Sequence, residues 1–572
     1  MKKWIVLLSV LSRTLAFSQS EPSAPPAPLP TDFMQELWYK KALIYNLDVK
    51  VFKDSDGNGF GDFKGLTQQL DYLKSLGVNV VWLAPFHPSP LEDDGYDIAD
   101  YYKIDPRVGT EEDFKQCIQE AKKRDIRIIT DLVINHTSIQ HPWYQSARKD
   151  KNSPYRNWYV WSKERPKDAD DGMVFPGVQK ETWTYDSLAQ EYYFHRFYDF
   201  QPDLNAQNPE VETEIRKIVK HWLDLGIAGF RLDAVPFYME IPKTNIKNPT
   251  LQFDLLYQLR QFIQWQNGQA VLLGEANVDP KETEKFIGKY GEGIQMIFNF
   301  YANQYLFAAL ATENTEKFIK ALVDTRQIAP TSQWAWFLRN HDEIDLGRLS
   351  NEDREKVYAR FGPQKNMQLY DRGIRRRLAP MLHDRKHIDL AYSLLFSLPG
   401  TPSLRYGEEI GMGDDLSLKE RNSVRTPMQW STAKNAGFST SNQPFHPVIN
   451  QGEYGYQKVN VSAQEKDPKS LLNHVKKLVK LREECPEIAL GEWTILPAST
   501  DQVLVMKYDW KGKSVIVAHN FSKDKKSITL GLSEWKGKKL QNLMSNASVA
   551  STSNDTYPVT LEGYGYQWYR LN

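Results

Sequence analysis

The sequence predicts an α/β protein: a (β/α)8 barrel, a small inserted domain after its third strand, and a small C-terminal antiparallel β domain. Three observations lead there. Eight apolar strand patterns recur from about residue 32, nearly all followed by a helical pattern. The strands are continuous apolar runs, as in a parallel sheet covered on both faces. After Pro486 the pattern changes to short alternating strands separated by turns such as Lys511-Gly512, as in an antiparallel sheet. A chain of 572 residues accommodates several such units. A doubly wound open sheet is the other arrangement the alternation allows, but no glycine-rich phosphate loop follows any strand.

The elements follow in order. Residues 42–52 form the first predicted strand, and Phe63 to Leu76 a helix with Leu66, Leu70, Leu73 and Leu76 at helical spacing. Residues 79–85 are a buried strand, Val80-Val81-Trp82-Leu83. Thr110, with Asp113 three residues on, caps a helix running to about Arg124. Residues 127–136 are the third strand. The regular pattern then lapses over 137–204, a stretch too long and too aromatic for a simple loop, which predicts the insertion. It resumes with a helix from about Pro209 to Leu225 and a fourth strand in Gly229 to Val235. A helix over Gln252 to Gln266 and strands over 270–277, 294–300, 334–341 and 401–408 complete the barrel. A last helix within Asp467 to Glu484 has Leu471, Leu472, Val475, Leu478 and Leu481 on one side. Strands within 503–509, 514–519, 527–530 and 564–571 build the terminal domain. The predicted organisation is barrel over 32–136 and 205–486, insertion over 137–204, and β domain over 487–572.

Composition narrows the function. Net charge is zero, from 72 basic and 72 acidic residues, which gives no support to nucleic acid or an anionic membrane as partner. Aromatic residues make up 12%, as suits either sugar stacking or core filling. Cys117 and Cys485 are the only cysteines, so neither a disulfide framework nor a cysteine metal site can be built. Residues 1–18 read as an export signal, with Lys2 and Lys3 before the apolar Trp4 to Leu11 and Ala16-Phe17-Ser18 at the cleavage position. Arg13 within the segment leaves an ordinary disordered N-terminus as the alternative. Residues 19–31 are a Pro-, Ala- and Ser-rich linker. A secreted or periplasmic location follows from the signal reading. The apolar run is too short to span a bilayer.

The candidate chemistry lies at the predicted strand ends. Gly229-Phe230-Arg231-Leu232-Asp233-Ala234-Val235 is apolar except for Arg231 and Asp233, which strand alternation places on one face. An arginine beside a carboxylate holds it ionised and aims it, as a covalent nucleophile requires; a structural ion pair is the other reading of this motif alone. Similar polar residues end the other strands: Tyr96-Asp97, Asn135-His136, Glu275 and His341-Asp342. A closed barrel brings all of them to one mouth. Breaking an acetal needs one carboxyl to protonate the leaving oxygen and another to attack or stabilise the sugar cation. Asp233 is therefore read as nucleophile. Glu275, after the apolar Val271-Leu272-Leu273-Gly274, is read as general acid/base. Asp342 binds substrate hydroxyls and the developing cation. Asp54-Ser-Asp56-Gly-Asn58-Gly-Phe60-Gly-Asp62 can wrap a hard cation with alternating oxygens, and is also compatible with a plain acidic turn.

Four blocks together resemble the α-amylase superfamily of retaining α-glucosidic enzymes. They are Asp131-Leu-Val-Ile-Asn-His136, Gly229-Phe-Arg-Leu-Asp233, Gly274-Glu275-Ala-Asn and Arg339-Asn-His-Asp342. The resemblance covers about residues 35–572. It implies a (β/α)8 barrel with an inserted domain after the third strand and a C-terminal antiparallel β-sandwich, and the same roles for Asp233, Glu275 and Asp342. It further implies Tyr96 as a stacking platform under the sugar, with Asp97, His136, Arg231 and His341 on its hydroxyls. The acidic loop is similar to the calcium loop of family members related to oligo-1,6-glucosidases and trehalose synthases. There Ca2+ would be structural, held by side chains of Asp54, Asp56, Asn58 and Asp62 and by the Phe60 carbonyl.

Within the family, Gln201-Pro-Asp-Leu-Asn205 resembles the oligo-1,6-glucosidase and trehalose synthase branch, and Ala234 is similar to members preferring α-1,4 links. Residues 88–100, 373–380 and 424–430 look like trehalose synthases. Three positions depart from that group, which has Tyr at Phe237, Glu at Gly347 and usually Tyr at Arg405. The first two belong to contacts thought to close the site, and losing them should admit water. The expected function is a retaining enzyme on short α-1,4-linked, maltose-like glucosides, by hydrolysis, glucosyl transfer or both. A dedicated trehalose synthase and an inactive glucan-binding protein are the alternatives.

Overall fold

The computed structural model describes Phe33 and residues 36–241, 250–532, 538–545, 547–552 and 556–571. The predicted signal and linker lie outside these residues. Eight parallel strands close into a barrel. In chain order they are Ile44–Leu47, Val80–Leu83, Arg127–Leu132, Gly229–Leu232, Val271–Gly274, Met296–Phe298, Gln333–Phe337 and Thr401–Arg405. The eighth pairs with the first, Asn46 opposite Arg405, which leaves no free edge. The strands are shorter than their apolar runs because the runs continue into the loops that carry the site; residues 133–136, for example, lie beyond the third strand.

Ile44, Val80, Trp82, Ile129, Leu273, Phe298 and Phe337 fill the barrel interior. A second, larger core lies between strands and helices. The predicted helix caps are formed: Thr110 and Asp113 close a capping box on Glu111–Lys123. The predicted helix over 63–76 is instead two, Phe63–Gln68 and Leu70–Ser75, broken at Gln69 where ψ is 5°.

Within 137–204 a three-stranded antiparallel sheet joins Trp161–Ser162, Glu191–Phe194 and Trp183–Asp186. After the seventh strand the chain makes a second excursion, with a small sheet of Ile344–Asp345, Gly373–Ile374 and Gln368–Leu369. Strand patterning does not announce it, because two-residue strands carry no period. The C-terminal region pairs a six-stranded antiparallel sheet with a two-stranded one, Lys526–Gly531 against Thr556–Leu561. Val505, Ile516, Ile528, Leu540 and Val559 pack between them. Among the described residues no helix is long and apolar enough to cross a membrane.

Candidate active site

The C-terminal strand ends open into a cavity of about 580 Å³ whose wall includes Tyr96, His136, Asp233, Glu275, His341 and Asp342. Six of the eight residues read as catalytic or sugar-binding therefore face one space. Arg231 lies under its floor, fully buried. Strand register explains the placement. Arg231 pairs with Asp131 on the third strand and Leu273 on the fifth, so the strand ends holding Asp233 and Glu275 are neighbours.

One guanidinium organises three carboxylates. Nη1 of Arg231 donates to Asp131 Oδ1 at 2.7 Å and to Asp233 Oδ1 at 2.6 Å. Its Nη2 lies 2.8 Å from Glu275 Oε2. Glu275 Oε2 also accepts from the Ala234 amide at 3.1 Å. Arg231 thus serves both acids, and the purely apolar setting expected for Glu275 is not what surrounds it. Burial pushes Glu275 up to about 7 against the pull of Arg231, with the charge of Asp233 adding to the rise. Burial also pushes Asp233 up to about 6, against Arg231 and a hydrogen bond from Glu275. The order of the two matches the expectation, whereas Asp233 is less acidic than an arginine partner alone would make it.

Asp342 is opposite in character. Its carboxylate lies 3.2 Å from Nη1 of Arg421, Nη2 of Arg425 and Nε2 of His341. Burial raises it, but Arg421, His341 and Arg425 overcome that and hold it well below the usual carboxylate range. Burial keeps His341 well below its ordinary value, hence neutral. The Tyr96 hydroxyl reaches His341 Nε2 at 2.6 Å and donates to Asp131 Oδ2 at 3.0 Å. His136 Nε2 lies 3.2 Å from the Tyr96 carbonyl oxygen.

Asp97 is a correction. It is fully buried and absent from the cavity wall. It accepts from Ser89 Oγ at 2.8 Å and from the amides of Glu92 and Asp93 at 3.0 and 3.2 Å, so it shapes the loop. Asp93, four residues earlier, reaches the cavity instead, with Gln201 Nε2 2.9 Å away. The same acidic loop offers several carboxylates, and spacing alone does not tell which one turns inward.

The roof was not legible in the sequence. Segment Gly172 to Phe175 of the insertion covers the cavity, tied by Arg372 Nη1 to the Val174 carbonyl at 2.6 Å. Arg421 stacks 4.7 Å from the Phe175 ring centroid and lies 2.9 Å from Glu343. Tyr198 and Tyr370 both donate to Glu420. These residues stand in loops or, for Glu420 and Arg421, in the short 3-10 helix Glu420–Val424, with no strand end to mark them. Phe237 lines the cavity, while a Cβ on Gly347 would meet Asp345 Oδ1 at 3.0 Å and Arg372 Cδ at 3.3 Å.

In the acidic loop, Asp54, Asp56 and Asp62 offer carboxylate oxygens that all lie within 4.8 Å of one another. Such like charges converge at a cost unless a cation joins them. Oxygen donors suit a hard cation. Asn58 lies beside them, its Nδ2 3.3 Å from Asp56 Oδ2. Asp54 Oδ2 accepts from Ser439 Oγ at 2.5 Å, and the Gly59 carbonyl accepts from the Phe445 amide at 2.8 Å, so the loop holds the distant 439–445 segment.

The family profile described as the alpha amylase catalytic domain matches residues 47–491. The chain belongs to the α-amylase family. A second profile, the maltogenic amylase C-terminal domain, matches residues 493–568. Family members similar to this chain include the trehalose synthase of Thermus thermophilus, 42% identical over 94% of this chain and 56% of the relative. The trehalose synthase/amylase of Mycolicibacterium smegmatis is 40% identical over 95% and 93%. The chain thus spans little more than half of the Thermus protein but nearly all of the mycobacterial one. An oligo-1,6-glucosidase of Parageobacillus thermoglucosidasius is 31% identical over 86% and 91%. Among solved structures, the trehalulose synthase of Pseudomonas mesoacidophila superposes with a TM-score of 0.75 at 27% identity, covering 94% of this chain and 99% of that one. As a member of this family, the chain is an enzyme of the glycoside hydrolase and transferase class.

Proposed function

We propose that the chain cleaves short α-1,4-linked, maltose-like glucosides by double displacement through Asp233, passing the glucosyl group to water or to a sugar. The observation carrying this is that a single buried arginine holds Asp233 and Glu275 together at a roofed cavity. Arg231 occupies Oδ1 of Asp233, leaving Oδ2 to attack the anomeric carbon. Arg231 and the Ala234 amide occupy Oε2 of Glu275, leaving Oε1 to carry the proton. As the glycosidic bond breaks, Glu275 protonates the leaving oxygen and Asp233 bonds to the sugar. Glu275, now ionised, takes a proton from water or an acceptor hydroxyl, which displaces Asp233. Asp342, ionised between two arginines, stabilises the cationic transition state. Tyr96 supplies the sugar platform, and Asp93, His136 and His341 bind hydroxyls.

The roof supports short substrates. Phe237 and Gly347, which lack the phenol and carboxylate of the trehalose synthases, support competition by water. A dedicated trehalose synthase is the second reading, favoured by the names of the relatives at 42 and 40% identity. Proton NMR of maltose incubated with the protein separates them: the first reading gives free glucose as a major product, the second mainly trehalose, and no turnover overturns both. The carboxylates of Asp54, Asp56 and Asp62, with Asn58 and the Phe60 carbonyl, would hold a structural Ca2+ that pins the 439–445 segment. Residues 1–18 would direct the protein to a secreted or periplasmic location.

A further inference from the structure

Asp93 and Asp94 are adjacent but serve different places. Asp93 reaches the cavity wall, whereas Asp94 is absent from it, and its side chain is only 8% exposed. The chain turns here through left-handed backbone, φ 52° at Asp94 and 106° at Gly95, a conformation that costs a non-glycine residue. Asp94 Oδ2 accepts from Nη1 of Arg425 at 3.1 Å. Its Oδ1 meets no hydrogen-bond donor among the described residues, and Lys50 Nζ stands 3.9 Å from it.

Arg425 is buried and pinned on three sides. Besides Asp94, it donates from Nε to the His341 carbonyl at 3.0 Å and from Nη2 to Asp342 Oδ1 at 3.2 Å. One guanidinium is thus divided almost equally between two carboxylates, of which only Asp342 faces the cavity. Behind them Lys50 Nζ lies 3.0 Å from Asp48 Oδ1. The result is a row of alternating charge with little access to water: Asp48, Lys50, Asp94, Arg425, Asp342 and Arg421. Burial raises Asp94, but Lys50 and Arg425 overcome that and hold it below its ordinary value, so it is ionised. Charges this close are felt across a shared partner when water is excluded. With Asp94 neutral, the whole charge of Arg425 would fall on Asp342, leaving less of the Asp342 charge for a sugar cation.

We propose that Asp94 is a positioning residue for Asp342: acting through Arg425, it draws off part of that arginine's charge and leaves the Asp342 carboxylate free to stabilise the sugar cation. This rests on the reading of Asp342 given above. Lys50 and Asp48 keep Asp94 ionised from behind. A plain structural ion pair would affect folding and leave the charge at the cavity as it is, and the two roles therefore separate in experiment.

Asp94→Asn keeps the shape and an acceptor for Arg425 while removing the charge. On maltose its kcat should fall about tenfold with KM changed far less. Competitive inhibition by deoxynojirimycin, a glucose mimic whose protonated amine replaces the ring oxygen, is compared with inhibition by neutral glucose. The preference for the cationic inhibitor should fall several-fold in Asp94→Asn and hold at the wild-type value in Asp94→Glu, which keeps the charge. An unchanged preference in Asp94→Asn, or equal weakening of both inhibitors, overturns the proposal. Should Asp94→Asn not fold, Asp94→Glu decides alone: a preference kept at the wild-type value bears the proposal out, and a fallen one overturns it. Asp342→Asn in parallel tests the reading beneath: wild-type kcat in that variant would remove the role of Asp342 itself, whereas its loss beside an unaffected Asp94→Asn would remove only the role of Asp94.

Discussion

The amide of Ala234 donates to Oε2 of Glu275 at 3.1 Å from a left-handed backbone conformation, φ 48° and ψ 42°. The residue after Asp233 is thus bent so that its backbone orients the acid on the next strand. A non-glycine residue in this region costs on the order of 1 kcal/mol, and β-branching raises that cost. Ala234→Val is expected to lower kcat/KM for maltose by about tenfold or more, through misplacement of Glu275 and crowding of the cavity wall. Steady-state kinetics check this.

The two acids set a narrow pH window. Asp233 must be ionised, above about 6, while Glu275 must keep its proton, below about 7. The kcat/KM profile should be bell-shaped with its top between these values. Stability carries the opposite mark. A carboxyl whose folded pKa is raised stabilises the protein below its ordinary 4.5 and loses that contribution as pH rises through about 7. Glu275→Gln should therefore be more stable than wild type at pH 8, by at most ~3 kcal/mol, and less at full solvent screening, since the side chain is 23% exposed. At pH 4 the difference should vanish. Denaturant unfolding at both pH values measures it.

The roof can be closed by two substitutions. Phe237→Tyr with Gly347→Glu adds a hydroxyl at the cavity and a carboxylate beside Arg372. The new ion pair is worth roughly 0–1 kcal/mol. A few-fold fall in the ratio of hydrolysis to glucosyl transfer is expected, read by NMR of the maltose products.

Removal of the proposed Ca2+ should act on stability more than on rate, because the acidic loop holds the 439–445 segment and contributes nothing to the cavity wall. A chelator is expected to lower Tm and leave kcat and KM nearly unchanged at temperatures well below it. Asp56→Asn should reduce the chelator effect.

What was legible in the sequence follows from physics. The barrel strands were readable because a parallel sheet buried on both faces demands unbroken apolar runs, and Val80-Val81-Trp82-Leu83 or Val271-Leu272-Leu273-Gly274 satisfy that in a few residues. The meeting of Asp233, Glu275 and Asp342 at one cavity was readable because each follows such a run, at the barrel end where strand-end residues converge. Arg421, Arg425 and Phe175 were not. They act on Asp342 and on the roof from a loop and a short 3-10 helix, where long-range folding rather than local period fixes position. Asp97 was misread for a related reason: an acidic loop turns one carboxylate inward and spends another on its own amides, and only coordinates distinguish them.

The most direct measurement is mass spectrometry of the protein after reaction with a 5-fluoro-α-glucosyl fluoride, which slows the second displacement. A single covalent glucosyl adduct is expected on the peptide containing Asp233, absent from Asp233→Asn. An adduct on another residue, or initial release of β-glucose from maltose with no adduct, would contradict it.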